Sequence, residues 1–212
     1  VKALLLTESL HTLRAEKYLK AAKIPIAEVM GLSDNAGRIN VGFDNYRAGF
    51  DMTNMLLASG KTQIIYFGSM SDIRDEQRYA GYCKAMEEAG LTVGRIAPNK
   101  VSSVSIGTGM MTLARQMYKE MDAILCTNDD LAVGVLQECI ASGIAVPQEM
   151  AIAGFHGHDI GQVMEPRLAS VLTPRERMGR IGAERLLARI RGEAVTPKML
   201  DLGFTLSPGG SI

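Results

Sequence analysis

The feature that most constrains this chain is a repeating alternation. Short apolar runs are followed by longer amphipathic segments, and glycines close most of the latter. The spacing predicts strands over 1–7, 26–31, 39–43, 63–68, 93–97, 123–127, 151–155 and 169–173, with a last strand pair within 198–206. Helices are predicted over 11–23, 44–59, 73–89, 105–118, 129–142 and 175–191. In the first helix Leu13, Tyr18, Leu19 and Ala22 fall near one face, and Pro25 is expected to end it. Asp44 is read as a helix N-cap, and Gly60, Gly90, Gly143 and Gly192 as left-handed stops. Strands that alternate with helices in this way build parallel sheets with right-handed crossovers. In such sheets ligands bind where strand ends lead into helices. The places to search are therefore Met30, Phe43-Asp44, 68–78, Asn128 and Phe155-His156.

Composition narrows the function classes. With 212 residues and 47% hydrophobic content, the chain can bury one large core or two smaller ones. Basic and acidic residues balance at 23 each, so no overall basic character points to direct phosphate-backbone binding. Cys83, Cys126 and Cys139 are odd in number and form no CxxC pair, which suits a reducing cytoplasm better than a disulfide framework. No apolar run is long enough for a membrane span. The chain opens on a strand pattern without an initiator methionine, and is expected to be the ordered part of a longer protein.

Three stretches carry candidate chemistry. GFHGHDIGQ (154–162) holds His156, His158 and Asp159. Imidazole and carboxylate suit zinc, but a catalytic zinc takes three protein ligands, and His11 is the remaining histidine, in a different unit of the pattern. The alternatives are a metal site, ordinary loop bonding, or a ligand contact by His156; its place just past a buried strand favours the last. In CTNDDLAVG (126–134), Asn128 stands between strand and helix, where its amide can cap the helix, reach a bound hydroxyl, or both. In SDIRDEQRYAG (71–81), Arg74 and Arg78 are four residues apart on one helical face. Two guanidiniums at a sheet mouth suit a carboxylate or phosphate; the competing reading is a solvated face paired with Asp75 and Glu76. Glycine-rich phosphate loops and the GxSxG elbow are absent, and the GxG at 107–109 lies in or at the start of a helix. The thirteen methionines read as adaptable core filling.

Taken together, INVGFDNYRAG, KTQIIYFGS, RDEQRYAGYCKAMEEAGL, the run from Cys126 to Phe155, and PRLASVLTPRERMGRIGAERLLARIRGE resemble the effector-binding core of the lac/gal repressor family over essentially the whole chain. The resemblance implies two Rossmann-like α/β lobes of parallel sheet flanked by helices, similar to periplasmic binding proteins, with an effector held between them. It also implies a DNA-binding headpiece that this chain lacks. On this basis residues 1–43 with 175–200 are expected to form an incomplete N-terminal lobe, and 44–174 with 201–212 the C-terminal lobe.

By the same resemblance, Arg78 matches an effector-clamping arginine and Asn128 a polar contact, while Met30, Phe43, Arg74, Ser102 and Thr173 line the cleft. His156 departs from the pattern, because sugar-responsive members commonly carry an aspartate there. Losing a carboxylate while keeping Arg74 and Arg78 shifts the cleft toward an anion, since an aspartate would repel a bound carboxylate. The stretch from 151 onward further resembles gluconate-utilisation members of the family, so the implied effector is D-gluconate or a close relative. The expectation is a cytoplasmic, homodimeric repressor core without cofactor or enzymatic activity, reaching operator DNA only through the headpiece. Val133 and Leu136 are expected either at the dimer interface or in the core. The competing classes are a solute-binding protein for a sugar or sugar acid and, further off, a metal-dependent enzyme.

Overall fold

The computed structural model describes residues 1–7, 12–33, 37–70 and 72–212. It divides into two compact units, Val1–Asn45 with Pro174–Phe204, and Tyr46–Thr173 with Thr205–Ile212. In the first, strands β1 (Leu4–Leu6), β2 (Ile26–Val29), β3 (Ile39–Gly42) and β9 (Met199–Asp201) form a four-stranded sheet in the order β1-β2-β3-β9, parallel throughout. Helix α7 (Arg175–Ile190) lies against β2 and β3, where Gly182 lets it approach Val29 and Leu5.

Helix α1 (Leu13–Ala21) corrects one expectation. None of its residues is buried, and Leu13 and Tyr18 stand 92% and 62% exposed. Its tie to the sheet is polar instead. Glu16 pairs with Arg38, whose other amine bonds the fully buried Glu28 of β2. The helix also stops earlier than Pro25 requires, since Lys23 already turns left-handed at φ +50. The candidate His11 lies outside the described residues.

The second unit is a six-stranded sheet in the order β10-β8-β7-β6-β4-β5. It comprises β4 (Ile64–Phe67), β5 (Gly94–Ile96), β6 (Ala123–Cys126), β7 (Ala151–His156), β8 (Ala169–Leu172) and β10 (Thr205–Ser207). All pairs are parallel except β8 with β10. The helices are α2 (Asn45–Ala58), α3 (Ile73–Glu88), α4 (Val104–Met117), α5 (Asp129–Ala141) and the four-residue α6 (Asp159–Gln162), a turn the apolar periodicity does not reveal. The stop signals at Gly60, Gly90, Gly143 and Gly192 all have positive φ. The strands are buried almost end to end, as expected of a parallel sheet covered on both faces. Val133 and Leu136 belong to this core, packed with Ile124, Ile152 and Met111, so their side chains are not available to a partner.

Glycines let neighbouring helices pack closely. A Cβ on Gly49 of α2 would collide with the backbone of Arg78, and one on Gly81 of α3 with the backbone of Tyr46. Gly107 of α4 and Gly134 of α5 interlock in the same reciprocal way with Leu131 and Val104. The expected final strand pair is no pair. β9 joins β3, while β10 lies antiparallel on β8 in the other sheet. The two units part at slightly different residues from the expected lobes. Asp44, Asn45, Pro174 and 201–204 group with the first unit, because Leu202 N–H bonds the Gly42 carbonyl and Phe204 packs edge-on to Phe43. The C-terminal tail closes the second unit: Ser211 Oγ accepts from Ala169 N–H and donates to the Ile152 carbonyl.

Candidate functional site

The C-terminal ends of β4, β6, β7 and β8 in the second unit gather most of the expected site residues. Asp72 caps α3, accepting from the backbone N–H groups of Arg74 at 2.7 Å and Asp75 at 3.1 Å. Arg74 folds back onto the same carboxylate at 2.7 Å. Burial pushes the Asp72 carboxyl up, but Arg74 and the two backbone donors outweigh it and leave the group below its ordinary value. Spacing alone offers Arg74 two roles, an anion clamp or a partner for Asp75 and Glu76. In the structure it pairs with Asp72, while Arg95 takes Asp75 at 2.9 Å and Glu76 at 2.8 Å.

Arg78, one turn further on, is only 4% exposed. Its guanidinium donates to the Thr127 carbonyl, just past β6, and lies over the Phe155 ring with 4.6 Å to the centroid. Burial pushes its pKa down to about 10, so it stays charged at neutral pH against a desolvation cost. Asn128 takes the capping role, and the other end of its amide meets a serine of the protein. Its Oδ1 accepts from Leu131 N–H as the cap of α5, and its Nδ2 donates to Ser102 Oγ at 2.5 Å. The neighbouring Ser103 caps α4, whose first residue, Val104, comes one earlier than the predicted helix start.

His156 ends β7 with φ +97, a region that few non-glycine residues occupy. Its Nδ1 lies 3.3 Å from Thr173 Oγ1. Its ring is stacked on that of His158, 5.6 Å between centroids and 22° between planes. His158 Nδ1 is 3.7 Å from Asp130 Oδ1. Among the described residues, no group of three or more His, Cys, Asp or Glu side chains is placed to hold a metal ion.

Sequence reasoning missed Asp129, which it read only as the first residue of a helix. The side chain is fully buried, accepts from His158 N–H at 2.6 Å and from Ser170 Oγ at 2.8 Å, and has its pKa raised to about 6 by burial, with His158 and Ser170 pulling it back. The signal was an acid directly behind a capping Asn, with Gly154 leaving the space that the carboxylate occupies.

The two remaining candidates lie in the first unit. Met30 follows β2 with φ +82. Its N–H bonds the Val41 carbonyl, and its own carbonyl accepts from Asn45 Nδ2 at 3.2 Å. Phe43 is fully enclosed and packs edge-on to Phe204. Asn45 also reaches the Phe43 carbonyl and so joins the two strand ends, a role the sequence reading did not assign.

Comparison with known proteins places this geometry in context. The family described as a periplasmic binding protein-like domain matches residues 53–212. Over its whole length the chain is 56% identical to the HTH-type transcriptional regulator GntR of Escherichia coli K12, and it covers 64% of that protein. It is 41% identical to the HTH-type transcriptional regulator IdnR of the same organism, again covering 64%. The chain thus spans just under two thirds of the length of these curated relatives. Among solved structures, transcription regulator GntR from Chromobacterium violaceum superposes with a TM-score of 0.95 at 35% identity, with 99% of this chain and 78% of that one covered. A LacI family transcriptional regulator from Silicibacter pomeroyi gives a TM-score of 0.88 at 30% identity, with 100% and 78% covered. These relatives are transcriptional regulators, not enzymes.

Proposed function

The chain belongs to the LacI family of transcriptional regulators, whose periplasmic binding protein-like domain it carries, and from that premise we propose that it is the effector-binding and dimerisation core of a repressor that senses a sugar acid, D-gluconate or a close relative. The observation that carries the reading is Arg78. A guanidinium buried at the end of β6, with its pKa lowered to about 10 by burial, is held charged at a cost that an incoming carboxylate offsets.

His156 supports the same choice. An imidazole edge at the end of β7, beside the Thr173 hydroxyl, can donate to a ligand oxygen where an aspartate would repel a carboxylate. Asn128 and Ser102 offer the amide and hydroxyl that hydroxyl-bearing carbons need. Arg74 contributes little in this scheme, because it must first exchange Asp72 for the ligand. Binding favours one arrangement of the protein over another, by no more than the effector's difference in affinity for the two. In a protein that carries a DNA-binding headpiece, this difference changes operator affinity. A reducing cytoplasm suits the three free thiols Cys83, Cys126 and Cys139, and no helix among the described residues is long and apolar enough to cross a membrane.

Calorimetric titration of D-gluconate tests the reading, with D-glucose as the control that lacks a carboxylate. Arg78→Ala is expected to weaken gluconate binding on the order of a hundredfold, the scale on which buried charge contacts are lost. Glucose is expected to bind at least about tenfold more weakly than gluconate, as for loss of one charged hydrogen-bonding group. Equal affinity of wild type and Arg78→Ala, or of gluconate and glucose, sinks the sugar-acid assignment.

A further inference from the structure

The turn after β7 raises a question that the effector contacts leave open: what keeps His156 at φ +97? That conformation is strained for a residue with a side chain, and persists only where the surroundings over-determine it. The next two backbone N–H groups supply the answer. Gly157 N–H donates to Ser170 Oγ at 3.0 Å, and His158 N–H donates to Asp129 Oδ2 at 2.6 Å. The Ser170 hydroxyl in turn donates to Asp129 Oδ1 at 2.8 Å. One buried carboxylate therefore fixes both amides that follow His156, one directly and one through a hydroxyl.

The surrounding residues are arranged for this bracing. Gly154 stands opposite Ser170 in the β7–β8 register, and any Cβ there would occupy the space of Asp129 Oδ1. Asp129 is also released from the usual duty of an acid at a helix start, because Asn128 already caps α5. The start of α5 thus divides its work. Asn128 turns to Ser102, and Asp129 turns to the opposite loop.

We propose that Asp129, acting through its own carboxylate and through Ser170, is a positioning residue for effector specificity: it holds the 156–158 turn in the conformation that sets the His156 imidazole beside Thr173. The proposal rests on the reading above, in which His156 contacts the sugar acid. It adds a residue that makes no ligand contact itself and whose loss is felt through the imidazole.

The test compares wild type with Asp129→Asn, Ser170→Ala, Ser170→Thr, His156→Ala and the Asp129→Asn/His156→Ala double variant. Without ligand, Asp129→Asn is expected to speed amide exchange at Gly157 and His158 and to shift the His156 ring resonances, while β6 amides stay protected. With D-gluconate, it is expected to weaken binding about tenfold, the scale of one charge-assisted hydrogen bond. In the His156→Ala background the same substitution is expected to cost nothing more, because a positioning residue has nothing left to position. Ser170→Thr is expected to restore what Ser170→Ala loses; this pair carries the test if Asp129→Asn does not fold. An additive loss in the double variant, or unchanged exchange and ring shifts, overturns the proposal. Should wild type fail to bind gluconate while exchange and ring shifts respond as described, the effector assignment fails and the positioning role stands.

Discussion

Each unit buries charge beside its sheet, but the two do so differently. In the first, Glu28 and Arg38 are matched to each other, with Ser33 Oγ donating to the second Glu28 oxygen and Glu16 accepting from the second Arg38 amine. In the second, Arg78 donates to a carbonyl and lies on an aromatic ring, while Asp129 accepts from an amide and a hydroxyl. A matched pair mainly attaches one element to another, here helix α1, which has no buried residue, to its sheet. The Asp129 carboxyl, raised to about 6 by burial, stays sensitive to protons near neutrality. The strand ends repeat the contrast. Met30 and His156 both sit at positive φ where a parallel strand ends, but Met30 is braced by a neutral amide and His156 by a carboxylate.

Breaking the matched pair gives the largest expected effect. Glu28→Ala leaves Arg38 without its buried partner and should cost about 3–5 kcal/mol, read as a fall in the denaturant midpoint. A loss below about 1 kcal/mol, the scale of a surface pair, would show that the network is ornamental and end the contrast.

The Asp129 carboxylate comes next. Burial raises its pKa from the ordinary 3.8 to about 6, so the folded protein binds this proton more tightly than the unfolded chain between those values. The group's contribution to stability is greatest below the unfolded value and is lost as pH rises through about 6, a change of roughly 3 kcal/mol. Unfolding of Asp129→Asn, followed from pH 3.5 to 7, should lack this component relative to wild type. Parallel curves for the two proteins would contradict a buried, proton-sensitive carboxylate.

Two glycine substitutions sharpen the comparison of strand ends. Met30→Gly and His156→Gly each relieve a positive φ worth about 1 kcal/mol of strain, partly offset by the freer unfolded chain. Only His156→Gly is expected to weaken gluconate binding by about tenfold, the scale of one lost hydrogen bond to a charged group. Met30→Gly should change affinity by no more than about threefold, as for a partly exposed apolar contact. Smallest of all, Arg74→Gln is expected to change affinity within about twofold, because Asp72 already neutralises the guanidinium. A tenfold loss there would reinstate Arg74 as a clamp.

The element order was legible because buried parallel strands are continuous apolar runs and their helices end on glycine. Arg78, Asn128 and His156 were legible because that order puts strand ends in register with helix starts. Other features were hidden for identifiable reasons. Leu13 and Tyr18 have the right helical spacing, yet periodicity cannot tell whether anything covers a face. Arg74 had three acids within reach in sequence, and spacing does not tell that Arg95 takes Asp75 and Glu76 and leaves Asp72 to it. The bracing of His156 joins residues 129, 158 and 170, whose proximity exists only after β7 and β8 have paired.

By itself, then, the sequence determined where strands and helices lie and which polar residues stand at strand ends, because those follow from local periodicity, capping and glycine stops. The tertiary structure alone decided what the buried charges face: Glu28 on Arg38, Arg78 on Phe155, Asp129 beneath the turn of His156. An ionised side chain cannot be buried without partners that fit it, and in this fold most of those partners come from elements remote in sequence.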